Sequence, residues 1–194
     1  MLVSKRVFSD FHLDALSEGE PWKLDSCTFS NGSIGMGARR PQDRLVVRGA
    51  VAHRCIVDSV SVGPILFDAV EVSGLRTTNP LWLPGCAFTH CVLRGRIGRV
   101  LFFAAVEETL PLASPGNSAF HEDNLRIYRE TDWALDISEA QFVDWDCRSV
   151  PAHLIRINPK HQVRVNYEAT SRAMSSGVLA EAPAESRIGL QWAL

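Results

Sequence analysis

The sequence predicts an all-β chain wound as a stack of parallel coils, a parallel β-helix, and three observations carry the prediction. Apolar residues recur in pairs, two apart, every five residues. The doublets between successive pairs have turn and surface chemistry. Helical spacing, with apolar residues at i, i+3, i+4 and i+7, fits the same stretches less well, and their Val and Ile content favours strand. An all-β sandwich is the alternative fold.

The first block is Trp22/Leu24, Cys27/Phe29 and Gly32/Ile34. The longest follows: Leu45/Val47, Ala50/Ala52, Cys55/Val57, Val60/Val62, Ile65/Phe67 and Val70/Val72 stay in phase. Their corner doublets are Arg48-Gly49, His53-Arg54, Asp58-Ser59, Gly63-Pro64, Asp68-Ala69 and Ser73-Gly74. A third block holds Leu81/Leu83, Cys86/Phe88 and Cys91/Leu93, with corners at Pro84-Gly85, Thr89-His90 and Arg94-Gly95. The last is Leu135/Ile137, Ala140/Phe142, Trp145/Cys147, Val150/Ala152 and Ile155/Ile157. An inward pair every five residues makes sense only if coils stack, so that like positions form apolar ladders no single coil can bury alone.

These units resemble the pentapeptide-repeat family, in which a small residue, any residue and a central Leu or Phe recur. The resemblance implies a right-handed parallel β-helix with four five-residue sides per coil and both the small and the central residue pointing inward. It covers 77 of the 194 residues. The units lack the family's frequent Asp or Asn between the inward positions. Ile65, Leu81 and Trp145 are bulky first residues, and Arg96 would point inward if the third block continued, so an irregular coil is expected. The composition and the stretch LDISEAQF, residues 135–142, also resemble bacterial proteins with this coil, which implies no activity.

Residues 104–130 break the period and read as an inserted loop with a short strand over 124–129. Residues 1–165 are expected to form one β-helical domain. Residues 166–194, rich in Ala, Ser and Glu, form a C-terminal cap or a partly disordered tail. Residues 1–21 are the other cap candidate, because both ends of such a stack expose unpaired edges.

Composition bounds the function. The chain is 46% hydrophobic and 22% charged, enough for a core. Twenty basic against 22 acidic side chains, net −2, does not match a nucleic-acid binder. No apolar signal region follows Lys5 and Arg6, and no apolar run approaches the ~20 residues of a membrane helix. A soluble, cytoplasmic protein without membrane contact is expected.

The five cysteines, Cys27, Cys55, Cys86, Cys91 and Cys147, all fall on inward positions and read as small core hydrophobes. Their spacing makes no metal site, and no cofactor motif is present. His90 and Cys91 adjoin, but the ladder turns the ring out and the sulfur in. Asp132, Asp136, Asp144 and Asp146 are the candidate catalytic carboxylates of a carbohydrate-active β-helix enzyme; as a solvated face they need no such role. Arg94, Arg96 and Arg99 form a basic run suited to an acidic partner.

The residue between each inward pair should be polar on a free surface. Instead it is Val46, Val51, Ile56, Ser61, Leu66 and Glu71 in the long block, and Trp82, Ala87 and Val92 in the third, so only Ser61 and Glu71 are polar. Val46 and Leu66 share a face, which one extra residue extends to Ala87. Such a stripe must be covered, either by the insert and tail, the preferred reading, or by a partner. The interaction candidates are therefore Val46, Leu66, Trp82, Arg94 and Arg99. The expected function is a non-enzymatic interaction module, a scaffold or immunity-type protein that binds another protein or itself as a homodimer.

Overall fold

A computed structural model describes residues 2–15, 21–106, 115–162, 171–172 and 175–176. The chain divides into two units, residues 1–158 and 159–194. The tail expected over 166–194 lies outside the described residues except at Ser171, Arg172, Ser175 and Ser176.

The first unit is mostly β, and every strand pairing among the described residues is parallel. Three sheets hold eight, five and three strands. The chain visits them in rotation: Leu45–Arg48 in the three-stranded sheet, Val51–His53 in the eight-stranded, Ile56–Val62 in the five-stranded, then Ile65–Asp68, Glu71–Ser73 and Arg76–Thr77 in the same order. Each strand lies beside the one a circuit later, so inward residues stack as Val3, Leu24, Ala52, Val72 and Leu93 in one sheet. Val47, Phe67 and Phe88 stack in another. Phe67 and Phe88 lie ring on ring, centroids 5.3 Å apart and 10° from parallel. The buried side chains of the sheets form one core.

The corners show why the doublets recur. Gly49, Arg54, Ser59, Ala69, Gly74, Gly85, His90 and Gly95, each the second residue of its doublet, have φ between +52° and +68°. A left-handed residue turns the strand without a loop. Several also donate their N–H to the next circuit: Arg54 to the Ser73 carbonyl at 2.8 Å and Ala69 to that of Thr89 at 2.8 Å. The corner is thus hydrogen-bonded like the strands, which satisfies backbone groups that a bend would otherwise strand.

Four expectations are corrected. Residues 115–129 are neither loop nor strand but an α-helix, Pro115–Arg129, which buries Asn117, Phe120, Asn124 and Tyr128. Those positions are three and four apart, a helical stripe, but two of the four are Asn and gave no apolar signal. The N-terminal residues are no separate cap: Leu2–Ser4, Val7–Ser9 and His12–Leu13 pair with the next circuit. Arg96 is exposed and Ile97 is buried, because the third block ends at the Gly95 corner. Ala152 is exposed and Leu154 buried, since a 3-10 turn over Ala152–Leu154 replaces the expected extended unit.

No helix among the described residues is long and apolar enough to cross a membrane.

Candidate functional site

Val46, Leu66 and Ala87 lie in register across the three strands of the smallest sheet, on its outer side. Their exposure falls along the row: Val46 is 39% exposed, Leu66 half-buried and Ala87 fully buried. The cause is the helix Pro115–Arg129, which packs over the Ala87–Thr89 strand and beside the 3-10 turn Pro41–Asp43. The insert therefore covers one end of the row and leaves the Val46 end open.

Polar side chains under the helix fix its position. Asn124 Nδ2 donates to the Gly85 and Cys86 carbonyls at 3.2 and 3.3 Å. Asn117 Oδ1 accepts from the Val106 N–H at 2.8 Å. Arg44, whose side chain is 3% exposed, reaches Asp123 at 3.5 Å and lies 5.2 Å from the Phe120 ring centroid. Desolvation works against the charge of this guanidinium, and the Asp123 carboxylate offsets part of that cost.

Trp82 is 44% exposed on the strand Leu81–Pro84, which pairs with the second half of the long strand Cys91–Phe103. Its indole stacks on Phe103 with centroids 5.1 Å apart, and the Arg148 guanidinium sits 5.8 Å from the same phenyl ring. Arg148 in turn holds Asp146 at 2.6 Å. Exposed Trp with Phe and Arg beside it is a set of residue types enriched at protein interfaces.

The basic and acidic runs, separate in the sequence, lie side by side. The strand Cys91–Phe103 pairs with Leu135–Cys147, which sets Arg94 against Glu139 and Arg99 against Asp144. Arg94 Nε is 3.6 Å from Glu139 Oε2. The remaining carboxylates are engaged locally. Asp132 accepts a hydrogen bond from His90 at 2.7 Å, which holds its carboxyl below the usual range. Asp136 accepts from the backbone N–H and the hydroxyl of Ser138, at 3.0 and 2.6 Å. Three cavities, near 160, 140 and 250 Å³, have none of these four aspartates in their walls. Among the described residues no three His, Cys, Asp or Glu side chains gather as a metal would need.

All five cysteines are free thiols; four are buried and Cys147 is half-buried. Burial raises Cys86 and Cys147 to about 12 and Cys91 to about 11, so these three are thiols, not thiolates, at neutral pH. His90 is exposed while Cys91 is 3% exposed, and the two do not form a base and nucleophile pair.

Compared with protein-family models, with curated proteins and with solved structures, the chain matches none. The likeness to pentapeptide repeats thus rests on the repeat itself. Sequence reasoning missed Arg44 and Phe103. Arg44 gives no local signal, because it is buried only by a helix that begins some seventy residues later. Phe103 is two residues beyond the Trp82 partner Leu101 and falls outside every block.

Proposed function

We propose that the three sheets are the walls of one irregular, right-handed parallel β-helix of pentapeptide-repeat type. The protein acts in the cytoplasm as a non-enzymatic interaction module that binds another protein or a second copy of itself. The rotation of the chain through three parallel sheets supports the fold, and five free thiols suit a reducing compartment. The observation that carries the function is the outward apolar residues the helix leaves uncovered, Val46 beside Leu66 on one sheet and Trp82 on another. The pairing of Arg94 with Glu139, with Asp144 in register beside Arg99, favours apolar contact over charge steering at this face.

A photo-crosslinking residue placed at Val46 or at Trp82 in the full chain tests the reading. A crosslink to a second polypeptide from either position, abolished by Leu66→Asp or by Phe103→Ala respectively, supports it. No crosslink from either position, together with cleavage of an acidic polysaccharide that disappears in Asp144→Asn and Asp146→Asn, replaces it with a carbohydrate-active enzyme.

A further inference from the structure

The inward positions between residues 50 and 62 are all small: Ala50, Ala52, Cys55, Val57, Val60 and Val62. Phe29, Phe67 and Phe88 fill inward positions of neighbouring circuits, but nothing larger than valine stands at these six positions. A cavity of about 250 Å³ results, walled by all three sheets, with Val47 and Phe67 from one, Ala52 and Val72 from another, Phe29 and Val57 from the third. Nineteen of its twenty wall residues are apolar. The exception, Arg48, lends only its stem, since its guanidinium turns to Asp68 at 2.6 Å with 72% of the side chain exposed. A second apolar cavity of about 140 Å³ shares Phe67, Val70, Val72, Leu75, Leu81 and Leu83 with the first. The shared residues set the two cavities against each other along successive circuits.

Water has little to hold it there. Among the described residues, the buried polar side-chain atoms without a hydrogen-bond partner belong to Arg44, Asn124, Tyr128 and Ser149, none of which lines either cavity. The larger cavity is partly open to solvent, and its apolar lining gives water few partners and favours apolar solutes. Left empty, this cavity forfeits packing contacts along its lining that an apolar ligand would restore. We propose that it is a binding site for a straight saturated hydrocarbon chain, such as that of a fatty acid, lying along the axis of the stack. The wall offers small aliphatic side chains and aromatic faces at intervals, with no polar group to orient a substituted ring. This site is independent of the outer face.

The test titrates dodecanoic acid, below its micelle concentration, into the full chain by calorimetry and thermal melting. Expected are one saturable site per chain, a negative heat-capacity change and a melting temperature that rises with ligand. Ala52→Leu adds bulk to the wall and weakens binding at least about tenfold, with Val72→Leu as the second variant. Val143→Asp, on the strand Leu135–Cys147 and 58% exposed, leaves binding unchanged. In the wild type, contacts by magnetic resonance run from the acid's chain protons to the Val57 and Val72 methyls, which reads the site even where a filled variant fails to fold. Absence of saturable binding overturns the proposal. So does binding without those methyl contacts, or binding indifferent to both filled variants, either of which places the acid on the surface.

Discussion

Arg44 reaches Asp123 from beneath the helix, Nη1 3.5 Å from Oδ2, with 3% of the arginine side chain and 19% of the aspartate exposed. The pair ties together the two segments that interrupt the repeat. One is the excursion between Ile34 and Leu45, which stretches the spacing of stacked residues to twenty-eight between Leu24 and Ala52. The other is the helical insert. Neither has a strand partner, so side chains must hold them to each other and to the sheet edge at Gly85.

Asp123→Ala leaves a buried guanidinium without its counter-charge and is expected to destabilise the chain by about 3 kcal/mol. Arg44→Met, which removes the charge and keeps the stem, costs less than half of that. Urea unfolding of both variants checks the order; equal losses would mean that packing, not charge, dominates.

Phe88 stacks on Phe67 and meets Phe102 edge to face, centroids 4.9 Å apart. Phe88→Ala should cost about 3–5 kcal/mol. Phe8, stacked on Phe29 at 5.0 Å but half-buried on the first circuit, should cost about half as much on the same change. Thermal or urea unfolding distinguishes a central ladder from a terminal one.

At the corners the sign of a substitution depends on φ. A Cβ at Gly74, φ +68°, meets nothing nearer than 3.7 Å, so Gly74→Ala carries conformational strain alone, about 1 kcal/mol. The reverse change at the exposed corner Ala69, φ +52°, relieves that strain and is expected to be neutral or stabilising by up to about 1 kcal/mol. Gly98→Ala should be much worse than either, because its Cβ would sit 2.7 Å from the Thr77 backbone nitrogen. Melting temperatures of the three variants give the ranking.

Acid should unfold the protein through its paired carboxylates. The Arg54 hydrogen bond at 2.8 Å holds the Asp25 carboxyl below its ordinary value, helped by Ser4 and His53. Asp132 is held down by His90. A depressed carboxyl stabilises the fold above its unfolded pKa, near ~3.9, and loses that contribution as pH falls through the lower folded value. Stability should therefore be level in these groups near neutrality and fall below about pH 4. Asp25→Asn should flatten that fall, as read from melts across an acid pH series.

The thiols should be inert in the native state. With Cys86 raised to about 12 and Cys91 to about 11 by burial, Ellman's reagent at mildly alkaline pH should leave both unmodified until the chain unfolds. Rapid native labelling of either would show that this part of the core opens.

Much of the fold was legible because its rule is local. Leu45/Val47, Cys55/Val57 and Val70/Val72 face the core, and Gly49, Arg54 and Gly74 are left-handed where the doublets placed the corners. The first circuit was legible in part: Val3, Phe8 and Leu13 are five apart, but Arg6 occupies the position two before Phe8 and broke the pair rule. The helix was hidden by Asn117 and Asn124, whose burial is offset by hydrogen bonds rather than hydrophobicity.

The outer surface followed a different logic. Val46, Leu66 and Ala87 share a face as the spacing implied, but which of them meets solvent was settled by the helix. Arg94 and Glu139 are forty-five residues apart in the chain and neighbours in space. The sequence by itself determined which side chains point inward and where the strands bend, because strand alternation and left-handed corners depend only on residues a few positions apart. The tertiary structure alone decided what stands opposite what on the outside. That registry depends on how much chain each interruption takes up before the next strand begins, and this length is fixed only when Arg44, Asn124 and Phe120 dock the interruptions against the sheets.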